Sequence, residues 1–411
     1  MRFITRSTVL KITFFSGIFL LPFVVWPASP TPFEVPRVWL FSRWVELLVF
    51  LSVFNLGKIQ NKPNVWILLF ALAFFLIEAG ASWFGVDWTK SLIGNYYRAD
   101  GLITLLHSLA LVFFLALFWT KNYSRTLTYI FLFSSALVSF WALDEFISLH
   151  FLRNLSIPNF SGAVGASFGQ PNFMAGYLLV GLPFSFYAYS LKSGKFRVLF
   201  RIGIILQVLA IFLTMSWGGI LGLILLLLFY FLLSGKKIAI KISLALVLSL
   251  TLAGALFYYA QSRPKFVAGF QEIALHPQSR ERIIKNALYA FIQKPLTGWG
   301  RSNFDYAFRA NPNDTRYGSD VYVDRAHSVL AETAISSGAV GLVTYLSLVV
   351  LTLGSIIVRL RKGEDTGWNK TLLISLLLYL FHSQTNVISV QEELFFWLII
   401  GVAASNESQH V

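Results

Sequence analysis

Stretches of 18 or more apolar residues with few or no charges recur along this chain, and that recurrence limits what it can fold into. A bilayer core about 30 Å thick is crossed by roughly 20 residues of helix. A soluble protein can hide one such helix, but not a long series of them. The composition agrees, with 56% hydrophobic, 17% aromatic and only 13% charged residues over 411 positions, far from a soluble globular chain. The expected fold class is all-α, a polytopic transmembrane helical bundle of about twelve spans.

The spans fall near 8–26, 37–56, 64–82, 101–119, 126–147, 172–191, 199–215, 218–233, 238–260, 328–358, 371–386 and 389–404. The turn Ser216-Trp217-Gly218-Gly219 and the segment from Ser383 to Ser389 are short enough for hairpins that cross only part way. In that case the count drops to about ten or eleven. Every second gap is basic: Arg2, Arg6 and Lys11; Lys58 and Lys62; Lys121 and Arg125; Lys192, Lys195, Arg197 and Arg201; Lys236, Lys237 and Lys241; Arg359, Arg361, Lys362 and Lys370. Short cytoplasmic loops carry the excess of positive charge, so both termini are expected in the cytoplasm.

The expected organisation is a bundle of about nine spans over 1–260, one large extracytoplasmic loop over 261–326 containing short helices, and further spans over 327–411. The net charge of +14 is thereby explained by topology. Spread over six loops and termini, it is not a nucleic-acid footprint. Arg2, Arg6, the apolar run from Ile12 to Trp26 and Ala28-Ser29 also have the shape of a secretory signal. Its removal would leave the large loop outside. With no cysteine in the chain, disulfides, thiol nucleophiles and Cys-ligated zinc are excluded.

Three expected extracytoplasmic segments are long: 83–100, 148–171 and 261–326. The first is rich in Trp83, Trp88, Tyr96, Tyr97 and Arg98, as suits a segment at the membrane interface. The second carries a Gly/Ser/Asn-rich run from Asn159 to Asn172, irregular backbone that is tolerated at membrane depth only when buried in protein or lining a cavity. In the third, Ser279 to Gln293 reads as an amphipathic helix with Ile283, Ala287, Ala290 and Phe291 on one side. Pro295 stops it, Gly298-Trp-Gly300 supplies a turn, and Phe304 to Ala310 reads as another short helix.

Between Arg263 and Arg325 there are ten Lys or Arg against six Asp or Glu, an excess that outer loops should avoid. Arg offers a planar fork of donors suited to phosphate oxygens, so an anionic ligand is one explanation. Snorkelling to anionic headgroups is the other. His327 stands where the chain re-enters the membrane, with Asp324 and Arg325 just before it and Glu332 after it. There an imidazole can take a proton from a hydroxyl, or simply bond a backbone carbonyl.

Further along the same span, Ala331, Ala334, Gly338 and Gly341 form a small-residue face for close helix packing. Within the spans, Glu46, Glu78, His107 and His382 are the ionisable candidates. Arg43 is placed to neutralise Glu46, and the others suit either an outward cavity or hydrogen bonds between helices. Phosphate-binding Gly-rich loops, His-Glu-x-x-His and Gly-x-Ser-x-Gly are absent. The spacing of Asp320 and Asp324 is weak support for a metal.

His327-Ser328 is followed, nine residues on, by Gly338-Ala-Val-Gly341 and a long apolar span. Before it come Arg282, Ala287-Leu288, Pro295-Leu296, Gly298-Trp-Gly300 and Asn303-Phe304; earlier still are Arg98, Gly101-Leu102, Gln170-Pro171-Asn172 and Ala175-Gly176. In this order the motifs, over about residues 95 to 350, resemble the O-antigen ligase and O-antigen polymerase family of bacterial envelope glycosyltransferases.

The resemblance implies a multi-pass enzyme of the bacterial plasma (inner) membrane. It would move a glycan from an undecaprenyl-diphosphate carrier to an acceptor hydroxyl without nucleotide sugar, cofactor or metal, inverting the anomeric carbon. The acceptor would be the lipid A core, a second lipid-linked glycan or a protein. His327 and Arg282 are the implied catalytic residues, with Arg280, Arg98, Arg325, Asn172 and Glu332 in substrate binding and Asp324 or Glu332 orienting the imidazole. One departure from the family pattern is clear, Ser216-Trp217 where Ser-Arg is frequent, and Asn286 stands at a position where the family often has Trp. A flippase or exporter of lipid-linked glycan is the alternative from another class, but paired halves, frequent in transporters, are not evident here.

Overall fold

The computed structural model describes residues 6–59, 61–150, 164–260, 278–311 and 323–405. These residues form α-helices joined by turns and three short 3-10 segments, with no strand among them. In chain order the helices are α1 (Arg6–Leu20), α2 (Glu34–Val53), α3 (Val65–Trp83), α4 (Trp88–Ile93), α5 (Leu102–Phe118), α6 (Lys121–His150), α7 (Pro171–Ser190) and α8 (Gly194–Leu213). They continue as α9 (Trp217–Ser234), α10 (Lys236–Ala260), α11 (Gln278–Gln293), α12 (Phe304–Arg309), α13 (Val329–Arg361), α14 (Thr366–His382) and α15 (Val390–Ala404).

A helix stands at each expected span. Six of them, α3, α6, α7, α8, α9 and α13, are long and apolar enough to cross a membrane, and three shorter apolar helices accompany them at Ser7–Phe23, Leu102–Phe118 and Ile242–Tyr258. Short polar side chains set where several begin: Asn64 accepts from Trp66 N at 3.1 Å, Asp87 from Lys90 N at 2.9 Å and Ser328 from Ala331 N at 3.3 Å. Such caps satisfy amide donors that have no partner inside the helix.

α7 and α15 make the centre of the bundle, buried along most of their length. α15 packs on α5, α14 on α7, and α6 on both α7 and α8. Phe131, Phe184 and Phe395 join three of these helices, with ring centroids 4.4 to 5.5 Å apart. The turn leading into α7 is buried too: Gly165 N and Ala166 N donate to Glu145 Oε2 at 2.8 and 2.7 Å, and Arg37 donates to Ser167 O. Irregular backbone here has its polar groups bonded by protein, as burial away from water requires.

The span expected as one helix over 328–358 is broken. Gly338 has φ 68° and ψ −167°, in a region that only glycine occupies readily. The segment after α11 docks against this break: Ala339 N donates to Pro295 O at 2.7 Å, Trp299 N to Ile335 O at 2.7 Å and Gly300 N to Ser336 O at 2.9 Å. A Cβ at Gly341 would meet the Ser337 side chain of its own helix first, and Ile77 Cγ2 of α3 only at 3.7 Å. Gly338 instead lets the loop backbone in.

The same loop is fixed to the segment between α3 and α5. Val86 N donates to Trp299 O at 3.1 Å, Ser91 Oγ to Arg301 O at 2.9 Å, and Lys90 pairs with Asp305. Tyr306 donates to Asp87 Oδ2 at 3.2 Å, a bond that raises the phenol pKa. Segments distant in sequence thus form one platform beside α13. Of the large loop, 261–277 and 312–322 lie outside the described residues, as do 151–163.

Candidate functional site

His327 is the last residue before the Ser328 cap, and it has a positive φ of 56°. Glu332, one turn into α13, reaches back to accept from Ala326 N at 2.9 Å and from Arg325 Nη1 at 2.8 Å. On the other side, Val329 N donates to Ser383 O at 2.9 Å and Ser328 Oγ to Gln384 Oε1 at 2.8 Å. The imidazole is therefore carried on a turn held at both ends.

Three arginines line the same cavity as His327. Arg98 Nε donates to Asp324 Oδ2 at 2.6 Å, and its guanidinium lies 5.4 Å from the Phe173 ring centroid. Arg325 pairs with Asp100 as well as with Glu332. Arg301 Nε donates to Asp100 O at 2.9 Å, and its Nη1 lies 3.7 Å from Glu78 Oε2. Asp100 also accepts from Ser302 Oγ at 3.0 Å. Carboxylates and arginines alternate, and each arginine is held in place before any ligand arrives.

Arg98, Asp100, Arg301, Ser302, Arg325, His327 and Glu332 line one cavity of about 100 Å³. Its walls continue past Glu34, Asn386 and Glu393 to the aromatic side chains of Phe74, Tyr345, Tyr379, Phe396 and Trp397. One part of the lining is thus charged, with arginines and carboxylates side by side, and the other part aromatic. That division suits a ligand with a charged head and an apolar or ring-bearing body.

Among the residues singled out from the sequence, the fold brings together His327, Arg98, Arg325 and Glu332 in this cavity, with Asp324 beside it through Arg98. Arg282 does not line it; its guanidinium stands 5.2 Å from the Phe308 ring centroid on the α11–α12 face. Asn172 does not line it either, and accepts from Ser216 Oγ at 2.7 Å. The side chain of Arg280 lies outside the described residues.

Sequence reasoning missed Arg301 and Asp100. The signal for Arg301 was at hand, since it directly follows Gly298-Trp-Gly300. Glu78, buried on α3, accepts from Ser336 Oγ at 3.0 Å and also from Ser337 Oγ, so it joins α3 to α13 behind Arg301. His107 bonds Glu46 at 3.0 Å, and Arg43 shares the same carboxylate. That group is a contact between helices α2 and α5, away from the cavity. Trp217 is 68% exposed and leaves the cavity wall to other residues.

Residues 202–346 match the family model described as O-antigen ligase. Over that stretch, about a third of the chain, the protein is similar to the O-antigen ligase family. The match supports the O-antigen ligase and polymerase family that the motif order resembles, and it covers α9 to α12, Arg301, Arg325, His327 and Gly338. No curated protein matches the chain. Arg98, Asp100 and Asn386 lie outside the matched stretch, so the cavity is completed by α5, the segment before it and the turn after α14.

Proposed function

We propose that this chain is a membrane glycosyltransferase of the O-antigen ligase or polymerase type, moving a glycan from an undecaprenyl-diphosphate carrier to an acceptor hydroxyl. The observation that carries the reading is the joint placement of His327 with Arg98, Arg301 and Arg325 in one cavity. Breaking the bond from the anomeric carbon to the carrier leaves a diphosphate whose negative charge must be stabilised. Guanidinium groups held ready at that point do this most effectively in a partly dry site.

His327 takes the proton from the acceptor hydroxyl as its oxygen bonds to the anomeric carbon. The carrier oxygen leaves from the opposite face, so configuration inverts. Arg282 stands on the neighbouring loop helix against Phe308 and outside the cavity, and its role toward the carrier phosphate rests on the motif resemblance. In this reading charge neutralisation falls to arginine, and transfer proceeds without metal.

The same reading places the protein in the bacterial plasma membrane with about twelve spans and both termini in the cytoplasm. The cavity mouth and the loop of residues 261–326 face outward. Acceptors are the lipid A core, a second lipid-linked glycan or a protein hydroxyl.

The test uses the purified full chain in liposomes with a lipid-linked glycan and each acceptor in turn. Expected are a new glycosidic bond and release of carrier diphosphate in equal amounts. Movement of the carrier across the bilayer with no product from any acceptor would overturn the reading in favour of a flippase.

A further inference from the structure

His382 and Glu392 are fully buried, and His382 Nδ1 lies 2.8 Å from Glu392 Oε1. The other imidazole nitrogen, Nε2, lies 3.2 Å from Asn386 Nδ2. An amide nitrogen only donates, so Nε2 accepts, and Nδ1 carries the proton toward Glu392. The second Asn386 N–H goes to Thr385 Oγ1 at 3.0 Å. With both amide hydrogens engaged, what Asn386 presents to the cavity it lines is its carbonyl oxygen, Oδ1.

The placement is rigid. Thr385 Oγ1 donates to His382 O at 3.0 Å. Gly218 at the start of α9 presses on the same group, since a Cβ there would come within 2.3 Å of Asn386 Nδ2. The turn that presents Asn386 also bonds the His327 turn, through Ser383 O and Gln384 Oε1. His327 and Asn386 are thus fixed in register by one pair of turns.

We propose that Asn386 Oδ1 receives a hydroxyl of the acceptor glycan and aligns that sugar with His327. His382 and Glu392 are positioning residues that set the direction of the Asn386 amide. The chemistry recognised is a sugar hydroxyl, a donor that a neutral carbonyl oxygen can take without adding charge to a cavity already lined by arginines and carboxylates. The inference rests on the transferase reading given above.

The test measures steady-state transfer by the full chain, with a lipid-linked glycan as donor and the lipid A core or a second lipid-linked glycan as acceptor. Asn386→Leu keeps the volume and removes the acceptor oxygen. Its KM for acceptor is expected to rise about tenfold, the loss of one hydrogen bond, with kcat and the donor KM little changed.

His382→Leu and His382→Gln both leave Glu392 without its imidazole, so a purely structural role predicts equal effects. Gln offers an oxygen near Nε2 that still accepts from Asn386, and His382→Gln is expected to raise the acceptor KM far less than His382→Leu. Melting of each variant in detergent checks folding. An unchanged acceptor KM in Asn386→Leu, equal effects of the two His382 variants, or transfer only to a hydroxyl peptide would overturn the proposal. Failure of the wild-type chain to transfer at all would instead overturn the transferase reading.

Discussion

His327→Asn is expected to lower kcat for glycan transfer by about 10² to 10⁴-fold, the usual worth of a positioned general base, while the donor KM moves by less than about threefold. Asn is chosen for the backbone: His327 has φ 56°, and Asn is among the residues that tolerate this left-handed region. The bonds that hold the turn come from Ala326 N, Ser328 Oγ and Val329 N, none of which the substitution removes. Its melting temperature should therefore stay near that of the wild type. A variant that melts normally and transfers at the native rate would remove His327 from the chemistry.

Gly338→Val is expected to have the larger effect on the fold. At φ 68° and ψ −167° the backbone is nearly closed to any side chain, a cost of about 1 to 3 kcal/mol even without a clash. A Cβ would in addition lie 2.3 Å from Leu296 O and 2.9 Å from Pro295 O, both backbone atoms that cannot turn aside. Relief requires the Pro295–Gly300 segment to leave the break in α13. Trp299 N and Gly300 N would lose their partners, and Arg301, next in the chain, would lose its place by Asp100 and Glu78.

The measurement is a melting curve in detergent together with transfer activity, and both should fall. Gly254→Ala is the control, because nothing lies within 4 Å of a Cβ there. It should leave both readings near wild type, within about 1 kcal/mol in stability. Equal behaviour of the two variants would contradict the account of the break.

Much of the architecture was legible because the signals are local. Apolar runs set the helices, and Ile283, Ala287 and Ala290 mark the buried side of α11. The break in α13 was not, since Gly338 sits in the spacing of a close-packing face and the reason for its conformation is a loop more than forty positions earlier.

The site shows the same division. His327, Arg98, Arg325 and Glu332 could be named from motif order, and the fold gathers them. Arg301 is marked only by the Gly298-Trp-Gly300 turn before it, and Asp100 carries no local mark of its own. They matter because Arg301 donates to Asp100 O across some two hundred residues of chain. Asn386 was hidden for a related reason: it reads as part of a connecting turn, and only the contact with His382 and the cavity gives it a role. His382 was named as an ionisable residue within a span, but its partner Glu392, on the next helix, was not.

The central claim is a single displacement at the anomeric carbon, with His327 on the acceptor side and the arginines on the carrier side. It is tested most directly by the configuration of the new linkage. The purified wild-type chain is given a lipid-linked glycan of known anomeric configuration and an acceptor it uses, and the product is read by nuclear magnetic resonance. Inversion is expected at every transferred sugar. Retention would require a covalent glycosyl intermediate or a second displacement, and would contradict the claim.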